Sequence, residues 1–230
     1  MLGDFLEISL ATRDILASLE FYRKLGFAEA PARDAWRHPY TVVTDGCLYI
    51  GLHQRELASP ALSFSLPELR QQLPKLEDLG LEFEFCNIEL HRFNEVGLRD
   101  PDGGLVALLE ARTYSPVHSE VQTLCGYFLE YRLPVRDPAA TLAFWEKLGL
   151  IATPAEDGRP AQVSWGGINI TLDDSGPRAR PALVFANRDL DMTQALCEMR
   201  GLPMQHDTRG LHLTTPEGLT LSLQPEDLGD

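Results

Sequence analysis

The chain repeats itself, and that repeat limits the possible folds more than any composition figure. Residues 5–14, FLEISLATRD, and 128–137, FLEYRLPVRD, agree at six of ten positions across an offset of 123. At the same offset LEFYRKLGF (19–27) meets LAFWEKLGL (142–150) with five of nine identities. PALSF (60–64) is answered by PALVF (181–185), and DPDGGLVALL (100–109) by TPEGLTLSLQ (215–224). Collinear identity of this density marks a tandem duplication, so both halves must fold alike. The polar stretch RTYSPVHSE (112–120) has no apolar period and carries a proline, which is linker composition. The expected division is a first domain over 1–112, a linker over 113–123 and a second domain over 124–225.

Within each half the periodicities alternate between two and about 3.6 residues. Leu6, Ile8 and Leu10 recur every second residue and predict a strand with that face on a helix. Phe5, Glu7, Ser9 and Ala11 then face the other way. Asp14 is placed to cap a helix carrying Ile15, Leu19, Tyr22 and Leu25, which Gly26 stops. Short strands are expected around 27–33, 40–44 and 48–52. The pattern restarts with a strand at Leu62, Phe64 and Leu66, a helix from Pro67 to Leu79 interrupted by Pro74, and strands around 81–86, 93–99 and 104–110. In the second half Leu129, Tyr131, Leu133 and Val135 are assigned to the helix side, leaving Glu130 and Arg132 opposite. Each half thus reads as two βαβββ units, four in the chain, and the class is α+β.

Composition excludes several functions. The 44% hydrophobic and 23% charged content is that of a soluble globular protein, and the net charge of −14 repels phosphate backbones and anionic headgroups. Nucleic acid and membrane are therefore not expected partners. No apolar run approaches the roughly 20 residues of a membrane span. The N-terminus lacks the basic and apolar regions of a secretory signal, so a cytoplasmic location is expected. Cys47, Cys86, Cys125 and Cys197 are too scattered for a zinc site or a disulfide framework.

Arg13-Asp14, the helix from Phe21 to Phe27 and the turn from Asp100 to Gly103 recur as Arg136-Asp137, Phe144 to Leu150 and Thr215 to Gly218. In this order they resemble the vicinal oxygen chelate superfamily, the glyoxalase, bleomycin-resistance and extradiol-dioxygenase group. The resemblance implies two glyoxalase-like domains, each a curved mixed sheet around a cavity. It also implies His or Glu metal ligands on the concave faces. Its first ligand position falls on Glu7 and Glu130. Its second falls on Gly51 or His53 and on Thr171 or Asp173, its third on Ala61 and Ala182, and its fourth on Ala107 and Ser222. The alanines and the serine are poor ligands, so the expected metal site is degenerate and no cofactor is expected. A divalent metal, if present, would need Glu7, His53, Glu130 and Asp173 to converge.

The expected function is binding of a small organic molecule in the cavity of one or both domains. Candidate lining residues are Glu7, Tyr49, His53, Glu130, Arg132, Trp165, Asp173, His212, Ser222 and Gln224. The alternative is a divalent-metal-dependent lyase, isomerase or dioxygenase with an atypical ligand set. A homodimer is compatible with either reading.

Overall fold

The computed structural model describes residues 2–32, 36–89, 93–114, 121–156, 158–176 and 179–226. The first unit is β1 (Asp4–Ala11), α1 (Ile15–Leu25), β2 (Ala28–Ala30), β3 (Tyr40–Thr44) and β4 (Tyr49–His53). The second is β5 (Ala61–Ser65), α2 (Leu69–Asp78), β6 (Phe83–Asn87), β7 (Glu95–Arg99) and β8 (Leu105–Leu109). The other half repeats the plan with β9 (Tyr127–Pro134), α3 (Pro138–Lys147), β10 (Ile151–Thr153), β11 (Gln162–Trp165) and β12 (Ile168–Asp173). It ends with β13 (Ala182–Asn187), α4 (Leu190–Met199), β14 (Gln205–Asp207), β15 (Gly210–Thr214) and β16 (Thr220–Pro225). The four βαβββ units expected from the sequence are all present.

Each half forms one eight-stranded mixed sheet, in the orders β2-β3-β4-β1-β5-β8-β7-β6 and β10-β11-β12-β9-β13-β16-β15-β14. The two units of a half join along the antiparallel pairs β1–β5 and β9–β13. The local signals for the leading helices are the repeated ones. Asp14 takes the backbone N–H groups of Leu16 and Ala17, and Asp137 those of Ala139 and Ala140, which satisfies donors a helix start leaves open. Gly26 ends α1 at φ 90°, a left-handed conformation that glycine adopts without strain.

The simple alternation expected along β1 and β9 is broken in both strands. The β1–β5 register shifts between Phe5 and Glu7, and the β9–β13 register shifts between Val184 and Phe185. A bulge inserts one residue and swaps the faces beyond it. Phe5 therefore packs on the helix-side core, with its ring 5.6 Å from that of Phe64. Leu6 turns instead to a small cluster with Ala107, Leu109 and Ala111 on the opposite face. In the second half Phe128 enters the core and Leu129 is left 40% exposed. The expected helix-side placement of Leu6 and Leu129 is corrected accordingly.

One apolar core runs through both halves. Tyr22 and Trp145, equivalent in the repeat, are both completely buried in it. The ring of Trp145 lies 6.3 Å from Phe64 of the first sheet, and Phe27 lies 6.5 Å from Phe185 of the second. The turn motifs fasten the same seam. Glu217 accepts a hydrogen bond from the buried Ser18 of α1, and Asp102 accepts one from the buried Thr141 of α3. Glu217 also receives the Tyr22 hydroxyl at 3.4 Å. Asp102 is one methylene shorter and takes the backbone N–H of Arg136 at 2.9 Å, while the Trp145 indole N–H finds no partner among the described residues. No helix among the described residues is long and apolar enough to cross a membrane. Replacing Asp102 by alanine strands the Thr141 hydroxyl and the Arg136 amide. It is expected to lower the free energy of unfolding by about 1–3 kcal/mol, read from the urea midpoint.

Candidate functional site

The faces turned away from the shared core carry the polar side chains, and the two halves use them differently. In the first domain Glu7 is fully buried. Its Oε1 accepts from the Ser9 hydroxyl at 2.6 Å and from His53 Nε2 at 2.8 Å. Its Oε2 accepts from the hydroxyls of Tyr40 and Tyr114. Behind His53, its Nδ1 lies 3.0 Å from Nε2 of His38. Trp36 closes the group, with ring centroids 4.8 Å from His53, 4.9 Å from Tyr40 and 4.3 Å from Phe93. Gly51 makes this possible, because a Cβ there would collide with the Glu7 carboxylate.

The electrostatics follow from that enclosure. Burial drives the Glu7 carboxyl up, but the hydrogen bond and charge of His53, with the Ser9 and Tyr114 hydroxyls, more than offset it and hold the group below its usual range. A carboxylate only accepts, so Nε2 of His53 carries the hydrogen between them. Burial, then the charges of Arg55 and His53, lower His38 to about 4 and keep it neutral at pH 7. Burial and the Glu7 charge push the Tyr40 hydroxyl far above the ordinary tyrosine range.

In the second domain the equivalent face is open. A cavity of about 520 Å³ is lined by Glu130, Arg132, Thr171, Asp173, Arg209 and Gln224, among others. Arg132 bonds Glu130 Oε1 at 2.8 Å, and the Thr171 hydroxyl donates to Oε2. The cross-strand row runs Glu130, Val184, Ser222, His212, where the first domain has Glu7, Ser63, Ala107, Gly97. Ser222 is buried and its hydroxyl has no partner among the described residues, while His212 Nε2 lies 2.9 Å from Asp207 Oδ1.

Of the residues singled out in the sequence, Glu7 and His53 meet in the first domain, and Glu130, Arg132, Asp173 and Gln224 line one cavity in the second. The set Glu7, His53, Glu130 and Asp173 is not brought together, because each pair belongs to its own sheet. Tyr49 stacks on Tyr114, with centroids 4.7 Å apart. Trp165 is not in the cavity: it packs against the helix-side core and its indole donates to the carbonyl of Gly3. The sequence reading missed Trp36, His38, Phe93 and Tyr114, which lie outside the strands where no alternation marks a face.

No protein-family model matches the chain, and no curated protein does. Solved structures match it end to end. A crystal structure of catechol 2,3-dioxygenase is 16% identical, with a TM-score of 0.58 over 100% of this chain and 91% of that one. A variant of homoprotocatechuate 2,3-dioxygenase from B. fuscum in complex with HPCA is 13% identical, with a TM-score of 0.61 over 98% and 71%. An extradiol ring-cleaving dioxygenase from B. fuscum is 14% identical, with a TM-score of 0.61 over 98% and 73%. The chain has the vicinal oxygen chelate fold. It spans that fold as a tandem of two domains.

This likeness overturns the expectation that no cofactor is involved. Proteins run dioxygen chemistry on a bound metal or flavin, so the ring-cleaving dioxygenases that share this fold count against that expectation. In the first domain Glu7 Oε1 and His53 Nε2 are the candidate ligand atoms, and they are bonded to each other, so Nε2 would have to give up the hydrogen it donates before it could hold an ion. There the carboxylate's roughly four lone-pair positions already hold four donors, which an ion would have to displace. The second-domain row offers Glu130, Ser222 and His212. Neither set is the two-histidine, one-carboxylate trio of facial-triad oxygenases, and among the described residues no three His, Cys, Asp or Glu side chains gather as a metal site.

Two outcomes test the buried cluster. Gly51→Ala must push the Glu7 carboxylate off its donors, and a loss of about 1–3 kcal/mol is expected in urea unfolding. Because the folded-state Glu7 carboxyl titrates below its unfolded value, its contribution is complete above pH about 4.3 and disappears as pH falls through the folded value. Glu7→Gln should therefore flatten the stability profile on the acid side of that pH, measured by unfolding at a series of pH values.

Proposed function

We propose that the chain binds a small polar organic molecule on the concave face of its second domain. The asymmetry between two copies of one plan carries this reading. The first domain fills its face with Trp36, Phe93 and Tyr114, whereas the second leaves about 520 Å³ in front of Glu130, a volume typical of small-molecule sites.

The lining supports a ligand class as well. Arg132 and Arg209 supply donors, Glu130, Asp173 and Asp174 supply acceptors, and among the described residues no aromatic ring contributes to the wall. A flat apolar ring gains little there, while a hydroxylated or charged molecule can pair at several points. Arg132 is the anchor in this reading, because its planar fork already meets Glu130 with one nitrogen and has further donors to offer.

Calorimetry against a panel of small polar molecules checks the reading, on protein as purified and after incubation with manganese, iron, nickel or zinc. The expected result is saturable binding that Arg132→Ala weakens by about tenfold or more, the worth of one charge-assisted hydrogen bond. A panel without any binder, or a binder indifferent to Arg132→Ala, would overturn it.

A further inference from the structure

Among the described residues the first domain holds an aromatic ring where the second holds open space, and that ring does not come from its sheet. Tyr114 lies five residues beyond the end of β8, outside every strand and helix. Its hydroxyl donates to Glu7 Oε2 and meets the Tyr40 hydroxyl, and its ring stacks on Tyr49 at 4.7 Å and 35°. Its apolar edge packs against the cluster of Leu6, Ala107, Leu109 and Ala111. This is how a pocket holds a small ligand: one buried charged acceptor for the hydroxyl, one ring to stack on, one apolar wall. Glu7 would keep Ser9, His53 and Tyr40 without it. In the second domain the repeat counterparts of Leu6 and Glu7 are Leu129, which is 40% exposed, and Glu130, which fronts the cavity.

We propose that the concave face of the first domain is a phenol-binding site that the chain fills with its own Tyr114. The site is selective for a ring bearing a hydroxyl, because the buried Glu7 carboxylate demands a donor. A ring of the same shape without one would leave that acceptor short of a partner. The inference stands apart from the reading of the second-domain cavity, since no residue is shared between the two faces.

Chemical complementation tests it. Tyr114→Gly removes the ring, and p-cresol is that ring as a free molecule, with toluene as the same shape lacking the hydroxyl. The expected result is a lowered Tm that p-cresol restores, with one p-cresol bound per chain. Toluene should bind at least about tenfold more weakly, as a hydrogen bond to a charged group requires. Adding Glu7→Gln should erase the preference, and the unsubstituted protein should bind neither compound at this face. If Tyr114→Gly alone does not fold, refolding yield with p-cresol against toluene gives the same comparison. Equal effects of the two compounds, or rescue by neither, would overturn the proposal.

Discussion

Both sheets depend on a single apolar core that each half only partly supplies. Tyr22 and Trp145 occupy the same place in the repeat and are both fully buried. Each half then reaches across, Trp145 towards Phe64 and Phe27 towards Phe185. The acidic turn residues reinforce the exchange, since Glu217 and Asp102 each hold a hydroxyl on the leading helix of the other half. The two halves differ in a compensated way. Where the helix carries Tyr22, the turn carries the longer Glu217 and reaches its hydroxyl, and where the helix carries Trp145, the shorter Asp102 serves the Arg136 amide instead.

Two neighbouring substitutions in the repeat account for much of the difference between the concave faces. Opposite one another on the first sheet are Ser9 and Gly51, and on the second Arg132 and Thr171. Gly51 leaves room for Glu7 to lie against β4 within reach of His53, and burial then requires a full set of donors. Thr171 and Arg132 bind Glu130 from the sheet itself, leaving that carboxylate at the wall of a cavity.

Much of this was legible in the residues. The collinear identities give the tandem plan, Asp14 and Asp137 open their helices where the caps are, and the inward positions of Glu7, His53, Glu130 and Arg132 follow from strand alternation. The bulges were not legible, because one extra residue leaves an apolar run apolar while moving Leu6 and Leu129 to the other face. Trp36 and Tyr114 were not legible either. Their positions are set by what they pack on across the fold, and no local period records that. The expectation of no cofactor rests on Ala61, Ala107 and Ala182 standing at ligand positions, and what counters it is the likeness of the whole fold to solved dioxygenases, which no local pattern of residues records.

The placement of the concave faces has an evolutionary consequence. They lie on the far side of each sheet from the core that binds the halves together. A change on one face therefore leaves the seam and the other face untouched, as distant sites without shared partners usually behave independently. A duplicated chain built this way can hold its architecture fixed through one copy while the other drifts towards a new ligand. The closed first face and the open second face fit a protein that has taken that route.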